Sequence, residues 1–88
     1  MKYGEYLLSK EIIELNQLED ALTMQVDNPQ LKMGEVLLSL GFLNRDQLQQ
    51  SLKNYIKETG KNYEELNDWV TQEEADQLIA ELKSELGR

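Results

Sequence analysis

Residues 2–25 (KYGEYLLSKEIIELNQLEDALTMQ) and 32–55 (KMGEVLLSLGFLNRDQLQQSLKNY) align without a gap at an offset of thirty, and no other feature constrains the fold as strongly. Nine of the 24 aligned positions are identical: Lys2/Lys32, Gly4/Gly34, Glu5/Glu35, Leu7/Leu37, Leu8/Leu38, Ser9/Ser39, Gln17/Gln47, Leu18/Leu48 and Leu22/Leu52. Others exchange one apolar residue for another, as in Tyr6/Val36, Ile12/Phe42 and Ile13/Leu43. A unit this short cannot bury its own apolar face, so the two copies are expected to close on one another.

Helix punctuation is dense. Asn16 with Glu19, Asn44 with Gln47, Asn62 with Glu65 and Thr71 with Glu74 each have the spacing of a cap residue and the side chain that reaches back to it. Behind three of these caps the apolar residues fall on one helical stripe: Leu18, Ala21, Leu22 and Val26; Leu48, Leu52, Tyr55 and Ile56; Ala75, Leu78, Ile79, Leu82 and Leu86. Each repeat therefore reads as a short helix, a tight turn and a longer helix. The expected bounds are Tyr3 to Lys10 and Glu14 to Val26, then Lys32 to Leu40 and Asn44 to Glu58. Gly41 gives the second turn access to positive φ, whereas the first copy has Glu11 there and must make its turn differently or carry strain. Asp27-Asn28-Pro29 marks the linker, and Gly60 and Gly87 stand where glycines end helices.

Residues 61–70 suggest a short helix holding the chain's one tryptophan, and Thr71 to Leu86 a last helix outside the repeats. Trp69 with Val70 is expected to cover an open end of the repeat core. The expected architecture is all-α, a single domain over 1–88 with about five helices. It comprises two repeated helix-turn-helix units (2–25 and 32–55), a linker (26–31) and a C-terminal helical extension (61–88). The expected core is Leu7, Leu8, Ile13, Leu18, Leu22, Leu37, Leu38, Leu43, Leu48 and Leu52, arranged as two helix hairpins.

Composition narrows the function. The chain has no histidine and no cysteine, which removes the usual general base, the thiolate nucleophile and the common soft metal ligands. No P-loop, dinucleotide-binding glycine pattern, G-x-S-x-G or calcium loop occurs, so no enzyme activity, metal or cofactor is expected. With 17 acidic and nine basic side chains the net charge is −8, which repels nucleic-acid phosphate and anionic lipid. DNA mimicry would need a denser, more ordered carboxylate array. No apolar run approaches the roughly 20 residues of a membrane span. The N-terminus lacks the apolar stretch of a signal peptide, and the absence of cysteine fits a cytoplasmic setting.

The repeated element K-[YM]-G-E-x-L-L-S puts Gly4 and Gly34 at helix starts, each behind a lysine and an apolar residue. Two readings are open. The helix starts could press against each other where only glycine fits, or their N–H groups and the lysines could form an anion site.

The tandem unit resembles the MshEN-type N-terminal domain of type II secretion and type IV pilus assembly ATPases. That family's unit opens R-L-G-x-x-L and closes on glutamine. The framework falls on Gly4, Leu7, Leu8, Ile13, Leu18, Leu22 and Gln25, and again on Gly34, Leu37, Leu38, Gly41, Leu43, Leu48 and Leu52. The resemblance covers residues 2–55 and implies binding of cyclic di-GMP, read by Lys2, Tyr3, Gly4 and Gln25 with Lys32, Met33, Gly34 and Tyr55. Here Lys2 and Lys32 replace the opening arginines, Tyr55 replaces the second glutamine, Glu11 replaces a turn glycine, and the spacer has six residues. Lysine offers a point charge where arginine offers a planar fork, while Tyr55 could stack on a guanine. No ATPase motor follows, so the chain stands alone or is an excised piece. The expectation is a noncatalytic interaction module that docks a protein, a secretion, pilus or signalling component. A cyclic di-GMP receptor with altered reading positions is the alternative.

Overall fold

The computed structural model describes residues 2–60 and 63–86, which form six α-helices and one 3-10 turn, with no strand among them. The fold is all-α. The first copy supplies α1 (Tyr3–Ser9) and α2 (Leu15–Asp27), and the second α3 (Met33–Ser39) and α4 (Arg45–Thr59). A 3-10 turn (Tyr63–Glu65) leads into the one-turn α5 (Leu66–Trp69), and α6 (Gln72–Leu86) follows. This single turn is the short helix that residues 61–70 suggest, and with it the count is six against about five expected. Helix bounds in the two copies differ by thirty at every end up to the C-terminus of α2, so the duplication is spatial as well as textual.

Each repeat helix opens the same way. The third helical residue reaches back to the backbone N–H of the cap: Glu5 to Lys2 at 3.4 Å, Gln17 to Glu14 at 2.8 Å, Glu35 to Lys32 at 2.9 Å and Gln47 to Asn44 at 2.9 Å. Only Asn44 completes the reciprocal box, accepting from Gln47 N–H at 2.8 Å. The cap expected at Asn16 lies instead at Glu14, the residue aligned with Asn44. Glu14 is a poor capper by type, but the Gln17 amide sets the start. Thr71 caps α6 through Glu74 N–H at 3.3 Å, while the pair Asn62–Glu65 includes a residue outside those described, as does Gly87. Helix α2 runs on to Asp27, which shortens the expected linker.

Both inter-helix turns are the same Schellman motif. Ile12 N–H donates to Leu7 O and Glu11 N–H to Leu8 O; Phe42 N–H donates to Leu37 O and Gly41 N–H to Leu38 O. The motif needs positive φ at its penultimate residue, and both copies take it, Gly41 at 76° and Glu11 at 57°. The turns are thus equivalent, with strain in the first. Left-handed backbone costs a non-glycine residue roughly 1–2 kcal/mol, more than the unfolded-state entropy glycine adds. Glu11→Gly is therefore expected to raise stability by about 0.5–1 kcal/mol, read as a higher urea midpoint, and Gly41→Ala to lower it by about 1 kcal/mol.

The copies interlock. Helix α1 lies against α4, and α3 against α2, so each short helix packs on the long helix of the other copy rather than closing a hairpin of its own. Leu7, Ile13, Leu37, Leu43, Leu48 and Leu52 are buried as expected, and Leu8, Leu18 and Leu38 pack partly against the same core. Leu22 does not. It is 47% exposed, and Val26, on the same stripe, 79%. The reason is the C-terminal extension, whose long helix α6 lies along α4 of the second copy, while α5 packs on α3 and reaches the first copy at the start of α1, through Trp69 and the preceding Glu65. Along α4 and α6 run the ion pairs Arg45–Glu74, Lys53–Glu81 and Lys57–Glu85. Trp69 and Val70 are buried in the common core.

Candidate functional site

The starts of α1 and α3 meet around α5. Tyr3 is fully buried, its hydroxyl sharing a short hydrogen bond with Ser51 Oγ and its ring 4.6 Å, edge to face, from Trp69. Tyr55 is buried too, its ring 5.4 Å from Tyr3 and 5.5 Å from Tyr6. The Glu65 carboxylate bridges the two copies. One oxygen accepts from the Tyr3 backbone N–H at 2.7 Å, at the start of α1, and the other from the Tyr55 hydroxyl at 2.6 Å. On the other side, the Trp69 carbonyl oxygen lies against Gly34, 2.2 Å from where a Cβ would stand. At Gly4 the equivalent Cβ would meet nothing closer than Leu18 Cδ2 at 3.6 Å.

These contacts set the two repeated glycines apart. Gly34 is a close-approach glycine, and the backbone it admits belongs to α5 rather than to the other repeat. The donors at the start of α1 face carboxylates of the chain itself, Glu65 and Glu5, and the Lys32 N–H faces Glu35.

Of the eight residues the resemblance singles out, Lys2, Gly4 and Met33 line one groove of about 310 Å³ together with Leu8, Leu18, Leu22 and Trp69. Its polar edge is Glu5, Glu65 and Asp68. Tyr3, Gly34 and Tyr55 lie beneath in the core, so Tyr55 has no exposed ring face on which a guanine could stack. The Gln25 amide is spent on the linker, donating to Leu31 O at 3.1 Å. Lys32 is half-buried ahead of α3 and does not line the groove. The residues that shape the site and escape the repeat pattern are Ser51, Glu65, Asp68 and Trp69. The three from the extension have no counterpart at an offset of thirty to mark them.

A second polar cluster closes the far side of the aromatic group. The Tyr6 hydroxyl donates to Glu58 at 2.8 Å, and Lys10 pairs with the same carboxylate at 3.4 Å while lying over the Tyr6 ring. The Tyr6 hydroxyl and Lys10 hold the Glu58 carboxyl below its usual range. Burial, then the bond to Glu58, pushes the Tyr6 phenol up to about 12, and burial pushes Tyr3 above the ordinary phenol range. An unfolded tyrosine ionises near 10. Above that pH the unfolded chain sheds phenolic protons the folded chain keeps, so stability falls as pH rises. Near-ultraviolet phenolate absorbance at Tyr3 and Tyr6 is expected to appear only together with loss of helical circular dichroism.

Among the described residues no cluster of acidic side chains is arranged to hold a metal ion, and no helix is long and apolar enough to cross a membrane. No protein-family model, curated protein or solved structure matches the chain.

Proposed function

We propose that the chain is a noncatalytic docking module. In this reading it keeps the tandem scaffold of the N-terminal domain of secretion and pilus ATPases and engages a protein in the cytoplasm rather than a cyclic dinucleotide. The observation that carries the reading is the Glu65 carboxylate on the Tyr3 N–H, at the helix start whose free N–H groups an anion site would need. With Glu5 and Asp68 on the same edge, a bound dianion would meet like charges at close range, which costs several kcal/mol in a partly buried site. The Trp69 carbonyl against Gly34 closes the matching position of the second copy. A noncatalytic role is supported by the lack of histidine and cysteine in the chain, which removes the usual general base and the thiolate nucleophile.

Calorimetric titration with cyclic di-GMP at high micromolar concentration, with amide shifts followed at Lys2, Gly4 and Lys32, tests this directly. No heat and no shifts are expected. Saturable heat with shifts at those residues would overturn the docking reading in favour of a dinucleotide receptor. A protein captured from the source lysate that rebinds the full chain as a purified component would support it. Failure of every captured protein to rebind would end it.

A further inference from the structure

Leu15, Leu22 and Val26 are 60%, 47% and 79% exposed and share one face of α2. The repeat supplies their equivalents on α4. At an offset of thirty they are Arg45, Leu52 and Ile56, and that is the face along which α6 lies. Leu52 and Ile56 are buried in one cluster with Ala75, Leu78 and Leu82 of α6, and Arg45 pairs with Glu74. One copy's face is sealed by an amphipathic helix, and the other copy's matching face is bare. The fold thus contains its own example of what covers this surface.

The flanking charges set the chemistry of the missing helix. On α4 the cations Arg45, Lys53 and Lys57 meet Glu74, Glu81 and Glu85 of α6. On α2 the matching positions are Leu15, Thr23 and Asp27, and α2 carries Glu19, Asp20 and Asp27 with no basic residue. An acidic helix like α6, or a second copy of a chain with net charge −8, meets repulsion there.

From this we infer that the exposed face of α2 binds an amphipathic helix of a partner protein, with an apolar stripe like that of α6 and basic residues where α6 is acidic. The inference rests on the docking reading and names its surface and the chemistry of its partner. Helix-in-groove recognition of this kind is anchored by residues three to four apart, the spacing of Ala75, Leu78 and Leu82.

The test uses the full chain and a labelled peptide of residues 71–86 carrying Glu73→Lys, Glu74→Lys, Asp76→Lys, Glu81→Lys and Glu85→Lys. Fluorescence anisotropy is expected to show saturable binding, weakened about tenfold or more by Leu22→Asp or Val26→Asp. Both positions are exposed, so circular dichroism should remain unchanged. Leu40→Asp, at an exposed leucine outside α2, should leave affinity unaltered. Equal binding by the Leu22→Asp chain, or equal binding of the unaltered acidic peptide, would overturn the inference. So would self-association in sedimentation that Val26→Asp abolishes, which assigns the face to a second copy. A purified partner that binds the Val26→Asp chain as well as the parent sinks this surface while leaving the docking reading intact.

Discussion

Gly34→Ala is expected to destabilise the fold by about 3 kcal/mol or more, whereas Gly4→Ala leaves stability unchanged or raises it by roughly a few tenths of a kcal/mol. The two glycines are thirty residues apart in a repeat and look interchangeable. Their surroundings are not. A Cβ at position 34 would stand 2.2 Å from the Trp69 carbonyl oxygen and 3.0 Å from Leu48 Cδ2. Leu48 can rotate, but the carbonyl is backbone and moves only if α5 moves. At position 4 the nearest atom is a flexible leucine methyl at 3.6 Å, an ordinary contact. Thermal unfolding separates the cases. At about 4–8 °C per kcal/mol for a domain of this size, Gly34→Ala should lower Tm by roughly 12–24 °C. Comparable Tm values for the two variants would refute the asymmetric placement of α5.

Glu65→Ala is expected to cost about 3 kcal/mol, because it removes the acceptor that two partly buried donors share, the Tyr3 N–H and the Tyr55 hydroxyl. Each donor left without its acceptor is worth about 1–3 kcal/mol. Glu65→Gln keeps one acceptor oxygen and should lose about half as much. The bridge joins α1 of the first copy, α4 of the second and the turn before α5, so its loss should also change the near-ultraviolet circular dichroism of the tyrosine cluster. Chemical denaturation of the two variants, compared at equal slope, reads the difference. A Glu65→Ala chain as stable as the parent would mean the carboxylate does not hold the three elements together.

The repeat made much of the fold legible. Aligned residues predicted helix ends that agree within about two residues, and the glycine at position 41 marked a turn that Glu11 adopts at the cost of strain. The misreadings have physical causes. Asn16 is the better cap by residue type, yet the cap falls at Glu14, aligned with Asn44, where the Gln17 side chain reaches back to the backbone N–H. Leu22 and Val26 look like core because an apolar stripe records that a face is buriable, not whether a neighbour arrives to bury it. The candidate site was harder still. Lys2, Gly4 and Met33 line one groove, but what fills the space between the copies is Glu65 and Trp69, from a segment the duplication does not include. The same segment leaves Gly34 and Tyr55 buried, and α6, which follows it, lies along α4 and leaves the α2 face bare.

Trp69 touches both halves of a near-symmetric pair and can match only one of them, its carbonyl against Gly34 and its indole near Gly4. Twin sequences therefore acquire different lifetimes. Amide protons of α4, held beneath α6, should outlast those of α2 in deuterated solvent by orders of magnitude set by local opening. Doubling a motif and then wedging it off-centre turns similar parts into a stiff anchor and a pliant arm.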